Sequence, residues 1–511
     1  MRYGFVVDNR RCIGCHACSV ACKAENHVPL GVFRTWVKSV EKGAYPQTRR
    51  YFQVTRCNHC EYPPCAVICP VGAMYRRQDG IVDFDPARCI GCKACQQACP
   101  YDAIYTDPGS RTAAKCHFCA HRVEAGLEPA CVVACPEHAI LAGDMDDPDS
   151  EVSRALKEHA VRVRRPEVGT NPKLFYVEVD SSLIVPGQAR NVGSYLFATV
   201  NPHFPRANGH LRGAPPPLGP LDAVVAYDVE HEQPWGWRVP AYFWTKSLSA
   251  GALFIPALAR LLEGAKLSGR LEGVLSLGGL AFLGLTVGLL ISDLSRPERF
   301  LNVLRWPRAR SWVSRGAFCI AGYGLLLTCL LLSELAGAAG LGSVLLWPTA
   351  AAGTAAAVYT AFLFGQCRGR ALWQSPVLAV QLLVQCALAG SAWLLLLPGG
   401  LGVTAQLRRD AVYCLVTGLF AHASIVIWEV VLPRRPLASG ARYAASLIAS
   451  GPFRTIFWAG TVGLGCLAPA TLLALSTTST TFTALAGAAA LAGVGAFEWC
   501  FVMAGQCVPN S

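Results

Sequence analysis

Sixteen cysteines in the first 135 residues constrain this chain more than any other feature. They form four groups of four, and the first and third groups have the spacing C-x2-C-x2-C-x3-C. That spacing binds 4Fe–4S clusters and sends its fourth cysteine to a second cluster of a pair. Four groups therefore predict four clusters. The groups are Cys12, Cys15, Cys18 and Cys22; Cys57, Cys60, Cys65 and Cys69; Cys89, Cys92, Cys95 and Cys99; and Cys116, Cys119, Cys131 and Cys135.

Disulfide bonds and structural zinc are the alternatives for these cysteines. A disulfide scaffold is typical of small secreted domains, and no recognisable secretory signal precedes Cys12. Structural zinc favours two C-x2-C pairs with a longer gap between them, whereas these cysteines crowd together four times over. We therefore prefer iron–sulfur clusters. The other eight of the 24 cysteines lie singly in or near apolar segments and are interpreted as small buried hydrophobic residues.

The segments that follow the cysteine groups repeat one pattern. In CPVGAMYRR, CPYDAIYTD and CPEHAILAG, the last cysteine is followed by proline and then by a β-rich stretch. Because proline ends a helix, each unit predicts a cysteine loop, a short helix and a strand. GIVDFDP and LFYVEVD are further predicted strands. We expect residues 1–180 to form an α+β fold of two ferredoxin-like modules, one nested in the other.

These motifs resemble the four-cluster electron-transfer subunits of molybdopterin oxidoreductases, of the dimethyl sulfoxide reductase and polysulfide reductase type. The cysteine spacings and the variant CNHCEYPPC carry the resemblance. It implies that the first group shares its clusters with the fourth, and the second group with the third. The implied iron ligands are set 1 (Cys12, Cys15, Cys18, Cys135), set 2 (Cys116, Cys119, Cys131, Cys22), set 3 (Cys57, Cys60, Cys65, Cys99) and set 4 (Cys89, Cys92, Cys95, Cys69).

Basic residues and histidines accompany the cysteines. A 4Fe–4S core with four thiolates is negatively charged, and nearby cations such as Arg56, Lys93 and Lys115 would offset that charge. Histidine replaces cysteine at some iron–sulfur centres. Because all sixteen thiols are present, we interpret the adjacent histidines as packing or hydrogen-bonding residues. They are His16, His59, His117 and His121.

The sequence turns apolar after a stretch rich in proline, glycine and asparagine. Residues 181–238 are interpreted as an extended linker, in which Trp235 and Trp237 are placed like interfacial anchors. Residues 239–505 contain eight stretches that can cross a bilayer, which takes about 20 apolar residues. We therefore expect an all-α bundle of eight transmembrane helices. They are placed at 239–262, 271–291, 312–333, 344–364, 376–397, 410–432, 454–475 and 480–503.

Three segments of this half resemble NrfD-like membrane subunits of the polysulfide reductase type. They are PWGWRVPAYFWTKSLSAGALF, DLSRPERFLNVLRWPRARSWVSRGAF and YTAFLFGQCRGRALWQSP. The resemblance implies an eight-helix anchor that reacts with quinone and carries no haem. We see no pair of axial histidines in the spans, so haem is not expected. The two resemblances cover nearly the whole chain, which joins two subunits that are usually separate.

Ionisable and phenolic residues in the predicted spans are candidates for a quinone and proton site. Such side chains are costly within a bilayer and mark functional sites, and a quinone needs groups that exchange protons at its two oxygens. His422 is the deepest and is ranked first, and the others fall in the half of the bilayer nearest the cluster domain. The candidates are His422, Glu429, Lys246, Asp293, Tyr359 and Glu498.

Structural roles are the alternative for three of these candidates. Lys246 could extend to the membrane interface, and Asp293 could pair with Arg296. Glu429 could pair with the nearby arginines at 434 and 435.

Charge predicts the orientation of the chain. Most of the net charge of +12 comes from arginines in loops between apolar segments, which disfavours a nucleic-acid site. More of these arginines lie on the side of the cluster domain, so the positive-inside rule places that domain in the cytoplasm. The absence of a recognisable export signal agrees with this expectation.

The sequence as a whole predicts a membrane-bound electron-transfer and quinone-reactive subunit of a respiratory oxidoreductase complex. Electrons would pass through four 4Fe–4S clusters between a separate catalytic subunit and menaquinone or ubiquinone. By resemblance, that partner is a molybdopterin enzyme. The alternatives are the anchor of a quinone-linked hydrogenase and, less favoured, a redox-sensing transporter. A transporter needs a polar path across the whole bilayer, and the polar candidates gather in one half.

Overall fold

The amino-terminal region of the computed structural model is built from short strands. The described residues are 1–189, 223–263, 267–432 and 439–510. Their strands are β1 (Tyr3–Asp8), β2 (Thr35–Lys42), β3 (Arg49–Arg56), β4 (Met74–Arg76), β5 (Val82–Phe84), β6 (Ile104–Thr106), β7 (Ala113–Lys115), β8 (Ile140–Asp144), β9 (Val161–Arg162), β10 (Leu174–Val177) and β11 (Ala223–Tyr227).

These strands form two larger sheets and two hairpins. One sheet has the order β8-β1-β10-β9, with β1 parallel to β10 and the other pairs antiparallel. The second sheet, β11-β2-β3, is antiparallel throughout. The hairpins β4-β5 and β6-β7 follow the second and third cysteine groups. A ferredoxin-like region with strands is therefore confirmed.

Short helices in this region carry the cysteines. The helix Pro64–Ile68 ends at Cys69 and the helix Ala94–Ala98 ends at Cys99, and a strand follows each of them as the repeated pattern predicts. Because the cysteine and the proline after it stop the helix, the chain turns directly into the strand. The helices are α1 (Ala17–Glu25), α2 (Pro64–Ile68), α3 (Ala94–Ala98), α4 (Ala120–Val123), α5 (Ala130–Val133), α6 (Glu151–Glu158) and α7 (Ser181–Ile184).

The predicted linker contains regular structure at both ends. Helix α7 begins at its start, where the Asp180 side chain caps the helix by accepting from Ser182 N. Near its end, β11 pairs with β2 and so belongs to a sheet of the cluster region. The intervening residues 190–222 lie outside the described residues.

Seven helices among the described residues are long and apolar enough to cross a membrane. The first predicted span corresponds to α8, which is 26 residues long and carries Lys246 and a proline in its interior. Because α8 is not one of the seven helices, the predicted count of eight spans is not confirmed. The helices are α8 (Arg238–Glu263), α9 (Gly269–Asp293), α10 (Asn302–Arg305), α11 (Trp312–Leu335), α12 (Ala339–Gln366), α13 (Leu378–Leu396), α14 (Ala405–Val426), α15 (Ser439–Ala449), α16 (Ala468–Leu475) and α17 (Thr480–Gln506), with π-helical turns at Ile427–Val431 and Ile456–Leu467.

Helix α8 lies at the centre of the bundle. It packs against α9, α12, α13 and α17. A Cβ atom on Gly251 of α8 would lie 2.5 Å from the backbone nitrogen of Gly390 in α13, so the two helices meet at glycines. This central position shields the polar residues of α8 from lipid.

The cluster region rests directly on the loops at one end of the bundle. Ser295 N donates to Gly91 O at 3.0 Å. Gly91 has a positive φ of 70° and a Cβ there would lie 2.7 Å from the Ser295 Cβ, so only glycine fits this contact. At another point, the buried side chains of Arg370 and Asp102 approach within 3.6 Å. These contacts place the cysteine loops next to the membrane helices.

Candidate metal centres and buried polar site

The structure brings the cysteines together in the four sets that the resemblance implies. In every set, the last cysteine of one group lies among three cysteines of another group. The ligand assignment itself stays a prediction. The electrostatic neighbours are Cys15 and Cys135 for Cys12; Cys119 and Cys131 for Cys22; Cys57, Cys60 and Cys99 for Cys65; and Cys69, Cys89 and Cys92 for Cys95.

Two of the sets line cavities. The four cysteines of set 4 line one cavity, and those of set 1 line another. Among the described residues, no group of three His, Cys, Asp or Glu is placed to hold a single metal ion. Four thiols spread around an apolar cavity instead suit an iron–sulfur cluster, in which each thiolate binds its own iron.

Buried thiols need compensation for their charge. Burial, and to a smaller extent the neighbouring thiols, raises the pKa of Cys22 and of Cys92 to about 12. Because the thiolate is the metal-binding form, bound iron and hydrogen-bond donors must stabilise it. Backbone amides supply such donors: Ala139 N to Cys135 Sγ (3.3 Å), Phe118 N to Cys116 Sγ (3.4 Å), Gly91 N to Cys89 Sγ (3.4 Å) and Met74 N to Cys69 Sγ (3.5 Å).

Electrostatic neighbours between the sets arrange the four sites in a row. A cysteine of set 1 neighbours one of set 2, one of set 2 neighbours one of set 3, and one of set 3 neighbours one of set 4. Set 1 includes the exposed Cys15 and so forms the outer end of the row. The neighbouring pairs are Cys18 with Cys131, Cys116 with Cys57, and Cys65 with Cys95.

Set 4 forms the inner end of the row, against the membrane helices. Arg299 Nη1 donates to Cys89 O at 3.1 Å, and Trp235 Nε1 donates to Cys92 O at 3.2 Å. Trp235 also stacks on Trp373, with ring centroids 5.4 Å apart. Its interpretation as an interfacial lipid anchor is therefore wrong, because it is buried between the set 4 loop and the bundle. Trp237 is 55% exposed.

The histidines beside the cysteines pack or form hydrogen bonds. His59 is buried, and its Nδ1 accepts from Val82 N at 3.1 Å. Burial lowers the pKa of His117 to about 3, so this ring is neutral at pH 7. His121 contacts the Glu25 carboxylate at 2.8 Å, and His16 packs edge-on against a tyrosine ring at 5.0 Å.

Three predicted quinone-site residues meet within the bundle, in a group called here the Lys246 cluster. The Lys246 ammonium hydrogen-bonds Thr360 Oγ1 and lies 5.0 Å from the centre of the Tyr359 ring. Glu498 is its electrostatic neighbour, and neither carboxylate oxygen of Glu498 has a hydrogen-bond partner among the described residues. Lys246 is 1% exposed, so it does not extend to the interface. The fifth member is Tyr242, whose ring centre is 5.9 Å from the ammonium.

Asp293 links set 4 to the Lys246 cluster. Its carboxylate lies 3.5 Å from the Lys93 ammonium, and Lys93 stands in the loop between Cys92 and Cys95. Asp293 is also an electrostatic neighbour of Tyr242. Its alternative partner, Arg296, instead donates to Ser110 O at 2.7 Å.

His422 and Glu429 have neighbours other than the members of this cluster. His422 is 2% exposed, neither ring nitrogen has a hydrogen-bond partner in the described part of the chain, and the ring packs edge-to-face on Phe497 at 5.2 Å. Glu429 accepts from Ser375 Oγ. A π-helical turn begins at Ile427, between these two residues. The arginines at 434 and 435 lie outside the described residues.

Sequence reasoning missed several polar residues. Tyr242 lies four residues before Lys246, a spacing that places both on one face of a helix and could have identified it. At the far end of the bundle, Glu272 is 5% exposed and lies 3.8 Å from Arg260. This pair lies at the opposite end of the bundle from the candidates that the sequence predicted.

The fold and these sites define a multi-pass membrane iron–sulfur protein: a strand-rich cysteine region rests on a bundle with seven apolar helices long enough to cross a membrane. The profile described as "4Fe-4S dicluster domain" matches residues 48–145. The chain is a member of the family described as "Polysulphide reductase, NrfD", whose profile matches residues 228–510. Both resemblances are thus confirmed.

Similar proteins include iron–sulfur subunits of reductases. A tetrathionate reductase subunit of Salmonella typhimurium is 45% identical over 193 residues, which are 37% of this chain and 77% of that protein. A putative dimethyl sulfoxide reductase iron-sulfur subunit of Halobacterium salinarum is 39% identical, over 38% of this chain and 86% of that protein. One of the chains of polysulfide reductase from Wolinella succinogenes is 41% identical, over 34% and 94% respectively.

Proposed function

We propose that this chain is the membrane-bound electron-transfer and quinone-reactive subunit of a respiratory oxidoreductase complex. Sets 1 to 4 would hold four 4Fe–4S clusters, which accept and donate single electrons. The exposed end at set 1 faces a separate catalytic subunit, and the inner end at set 4 faces quinone. The observation that carries the proposal is the Lys93–Asp293 contact of 3.5 Å, which joins the last cysteine loop to the bundle beside the Lys246 cluster.

The Lys246 cluster supports a quinone site. A quinone takes up two protons with two electrons, so its site needs donors near both ring oxygens. The Lys246 ammonium and the Tyr359 and Tyr242 hydroxyls would donate to the oxygens. Glu498, with both oxygens unpaired by hydrogen bonds among the described residues, would accept and deliver protons. Asp293 would pass protons between this site and the surface near set 4.

His422 and Glu429 have subsidiary roles in this proposal. His422 packs on Phe497, which directly precedes Glu498, and its ring nitrogens, unpartnered in the described part of the chain, place a second proton carrier beside α17. Glu429 lies next to Ser375, near the cluster-side end of its helix, where a proton could leave. We rank both below Lys246, because neither is shown to contact the Lys246 cluster.

We propose the same three regions of the chain that the sequence predicts. Residues 1–180 hold the clusters, 181–238 connect the regions and 239–505 form eight crossings, with α8 as the central crossing. Its 26 residues are close to the 25, 28 and 27 residues of α9, α12 and α17, and the helices packed around it separate Lys246 from lipid.

We also retain the cytoplasmic side for the cluster domain. Two of the loop arginines bind the cluster region, so their position has a cause other than membrane orientation. Arg296 donates to the Ser110 carbonyl, and Arg299 donates to the Pro86 carbonyl. Arg305 and Arg315, which contact Trp306 and Ala309 of their own loop, still support the positive-inside assignment.

The outer end of the row supports a catalytic partner. Exposed apolar side chains surround set 1: Ile13 is 56% exposed, Val20 66% and Val133 59%. Such a patch beside an exposed cluster ligand suits docking of another subunit. The reductase subunits named above favour a reductase over a hydrogenase. The resemblance of the cysteine motifs is our reason for proposing that this partner is a molybdopterin enzyme.

Purification of the complex in mild detergent tests the proposal. We expect about sixteen iron atoms per chain, a copurifying catalytic subunit that contains molybdenum, and reoxidation of the reduced clusters by a quinone analogue. Full iron content without any reaction with quinone would contradict the quinone-reactive role.

A further inference from the structure

Arg56 is a buried cation placed between two of the cysteine sets. It is the last residue of β3 and directly precedes Cys57. Its side chain is 0% exposed, and the guanidinium carbon lies 4.5 Å from the centre of the Phe5 ring, which covers one side of it. A guanidinium removed from water in this way requires negative charge and hydrogen-bond acceptors nearby.

Cysteine sulfurs are the acceptors within reach. Arg56 Nη1 donates to Cys131 Sγ at 2.9 Å. The strongest electrostatic interactions of the guanidinium are with Cys131, Cys116, Cys18 and Cys22. Three of these thiols belong to set 2, and Cys18 belongs to set 1. The cation therefore faces both outer sites of the row.

The remaining donors of Arg56 also point to a bound group. Its Nε and Nη2 atoms are buried and have no hydrogen-bond partner among the described residues. Unpaired buried donors on a charged side chain are costly. Sulfide and thiolate sulfurs of clusters in sets 1 and 2 would satisfy them, which fits the chemistry of the site.

Three other cations beside the row are engaged differently. Lys115 donates to the carbonyl oxygens of Val82 and Cys116, and Lys93 pairs with the Asp293 carboxylate. Arg299 donates to the carbonyls of Pro86 and Cys89. Among these cations, Arg56 alone donates directly to a ligand sulfur.

We propose that Arg56 is a positioning residue that raises the reduction potentials of the clusters in sets 1 and 2 relative to those in sets 3 and 4. The inference rests on the proposed presence of the four clusters. A cluster gains negative charge when it is reduced, and a fixed cation and hydrogen bonds to sulfur stabilise that form. Because one guanidinium spans both sets, it ties the two potentials together at the end where the catalytic partner docks.

Three variants of the full chain test this inference. Arg56→Gln removes the charge, Arg56→Lys keeps it as a point charge that cannot reach both sets, and Arg50→Gln is the control. Arg50 lies on the same strand, is exposed and pairs with Glu41. Iron content is measured first, and the potentials follow from a redox titration monitored by electron paramagnetic resonance. Cys15→Ser, at the exposed ligand of set 1, assigns the signal of that set.

The expected outcome is specific to two of the four clusters. In Arg56→Gln, the signals of sets 1 and 2 become at least tenfold harder to reduce, which is about 59 mV for one electron, and the signals of sets 3 and 4 stay in place. In Arg56→Lys, the reduction potential of at least one of the clusters in sets 1 and 2 falls. Arg50→Gln changes none of the four reduction potentials.

Two results would overturn the inference: unchanged outer potentials in an Arg56→Gln protein with full iron, or an equal shift of all four signals. If Arg56→Gln loses a cluster, Arg56→Lys decides, and unchanged outer potentials in that variant also overturn it. A wild-type chain without about sixteen iron atoms would instead refute the proposed function itself.

Discussion

The cysteine sets and the Lys246 cluster bury polar groups in two different ways. Each cysteine set takes three of its cysteines from one segment of the sequence, and backbone amides of such segments donate to the sulfurs of Cys89 and Cys116. The Lys246 cluster assembles side chains from three helices that are far apart in sequence, α8, α12 and α17. Local chain geometry thus fixes the first kind of site, whereas helix packing alone fixes the second.

Both regions contain buried polar atoms without hydrogen-bond partners among the described residues. Thiols of the cysteine sets have amide donors and the Arg56 guanidinium, but Nε and Nη2 of Arg56 are unpaired. In the membrane region, the Glu498 carboxylate and the His422 ring are buried without partners. In our proposal, bound clusters complete the first site and quinone completes the second.

Loss of a set 4 ligand is expected to have the largest effect. Cys95→Ser should remove or destabilise the inner cluster and stop electron transfer to quinone, because set 4 is the one whose loop contacts the bundle beside the Lys246 cluster. The matched control is Cys367→Ser, a buried cysteine near Cys92 that belongs to no set. Iron content and quinone-dependent reoxidation are the readouts. Equal loss in both variants would contradict the assignment of the sets.

Changes in the Lys246 cluster are expected to act on quinone alone. Lys246→Met and Glu498→Gln should each slow quinone-dependent reoxidation by about 100-fold or more, since each removes a proton-transfer group. Iron content and cluster potentials should stay unchanged. Arg260→Met, at the far end of α8, is the control. Normal quinone reaction in Lys246→Met would refute the site.

His422 should matter less than Lys246. His422→Ala is expected to slow the quinone reaction, with iron content unchanged, because its ring packs on Phe497 next to Glu498. Tyr413→Phe, an exposed site on the same helix, serves as the control. A loss larger than that of Lys246→Met would move the centre of the site toward α14.

The contact between the two regions yields the smallest expected effect. Burial alone raises the pKa of Asp102, but Arg370 and Asn510 hold it below its ordinary value. The folded pKa is thus lower than the unfolded one, so the stabilisation is complete at neutral pH and disappears only as pH falls below about 4.

Asp102→Asn should therefore weaken docking at pH 7 by about 3 kcal/mol, because the buried Arg370 loses its carboxylate counter-ion and keeps only its neutral acceptors on Gln97 and Val508. Thermal loss of cluster absorbance, measured in the intact chain, is the readout. Asp146→Asn, which breaks an exposed pair with Arg2, should change little. Equal effects of the two variants would show that the Asp102 contact does not stabilise the docked form.

Sequence reasoning predicted the cysteine region well, since ligand spacing, proline stops and strand exits are all local. It also located the apolar segments, because length and hydropathy are local properties. It ranked His422 above Lys246, because it could not see that α8 is central and that Thr360 and Glu498 surround the ammonium. The π-helical turn at Ile427 was equally hidden, because a helical pattern in sequence assumes a constant turn.

The order of the sites is the central claim, and reoxidation by quinone tests it most directly. All clusters are reduced with dithionite in two variants, Cys15→Ser at the outer end and Cys92→Ser at the inner end, and a quinone analogue is added. We expect the remaining clusters of Cys15→Ser to reoxidise rapidly and those of Cys92→Ser to stay reduced. Equal rates of reoxidation in the two variants would contradict a row of clusters that reaches quinone only through set 4.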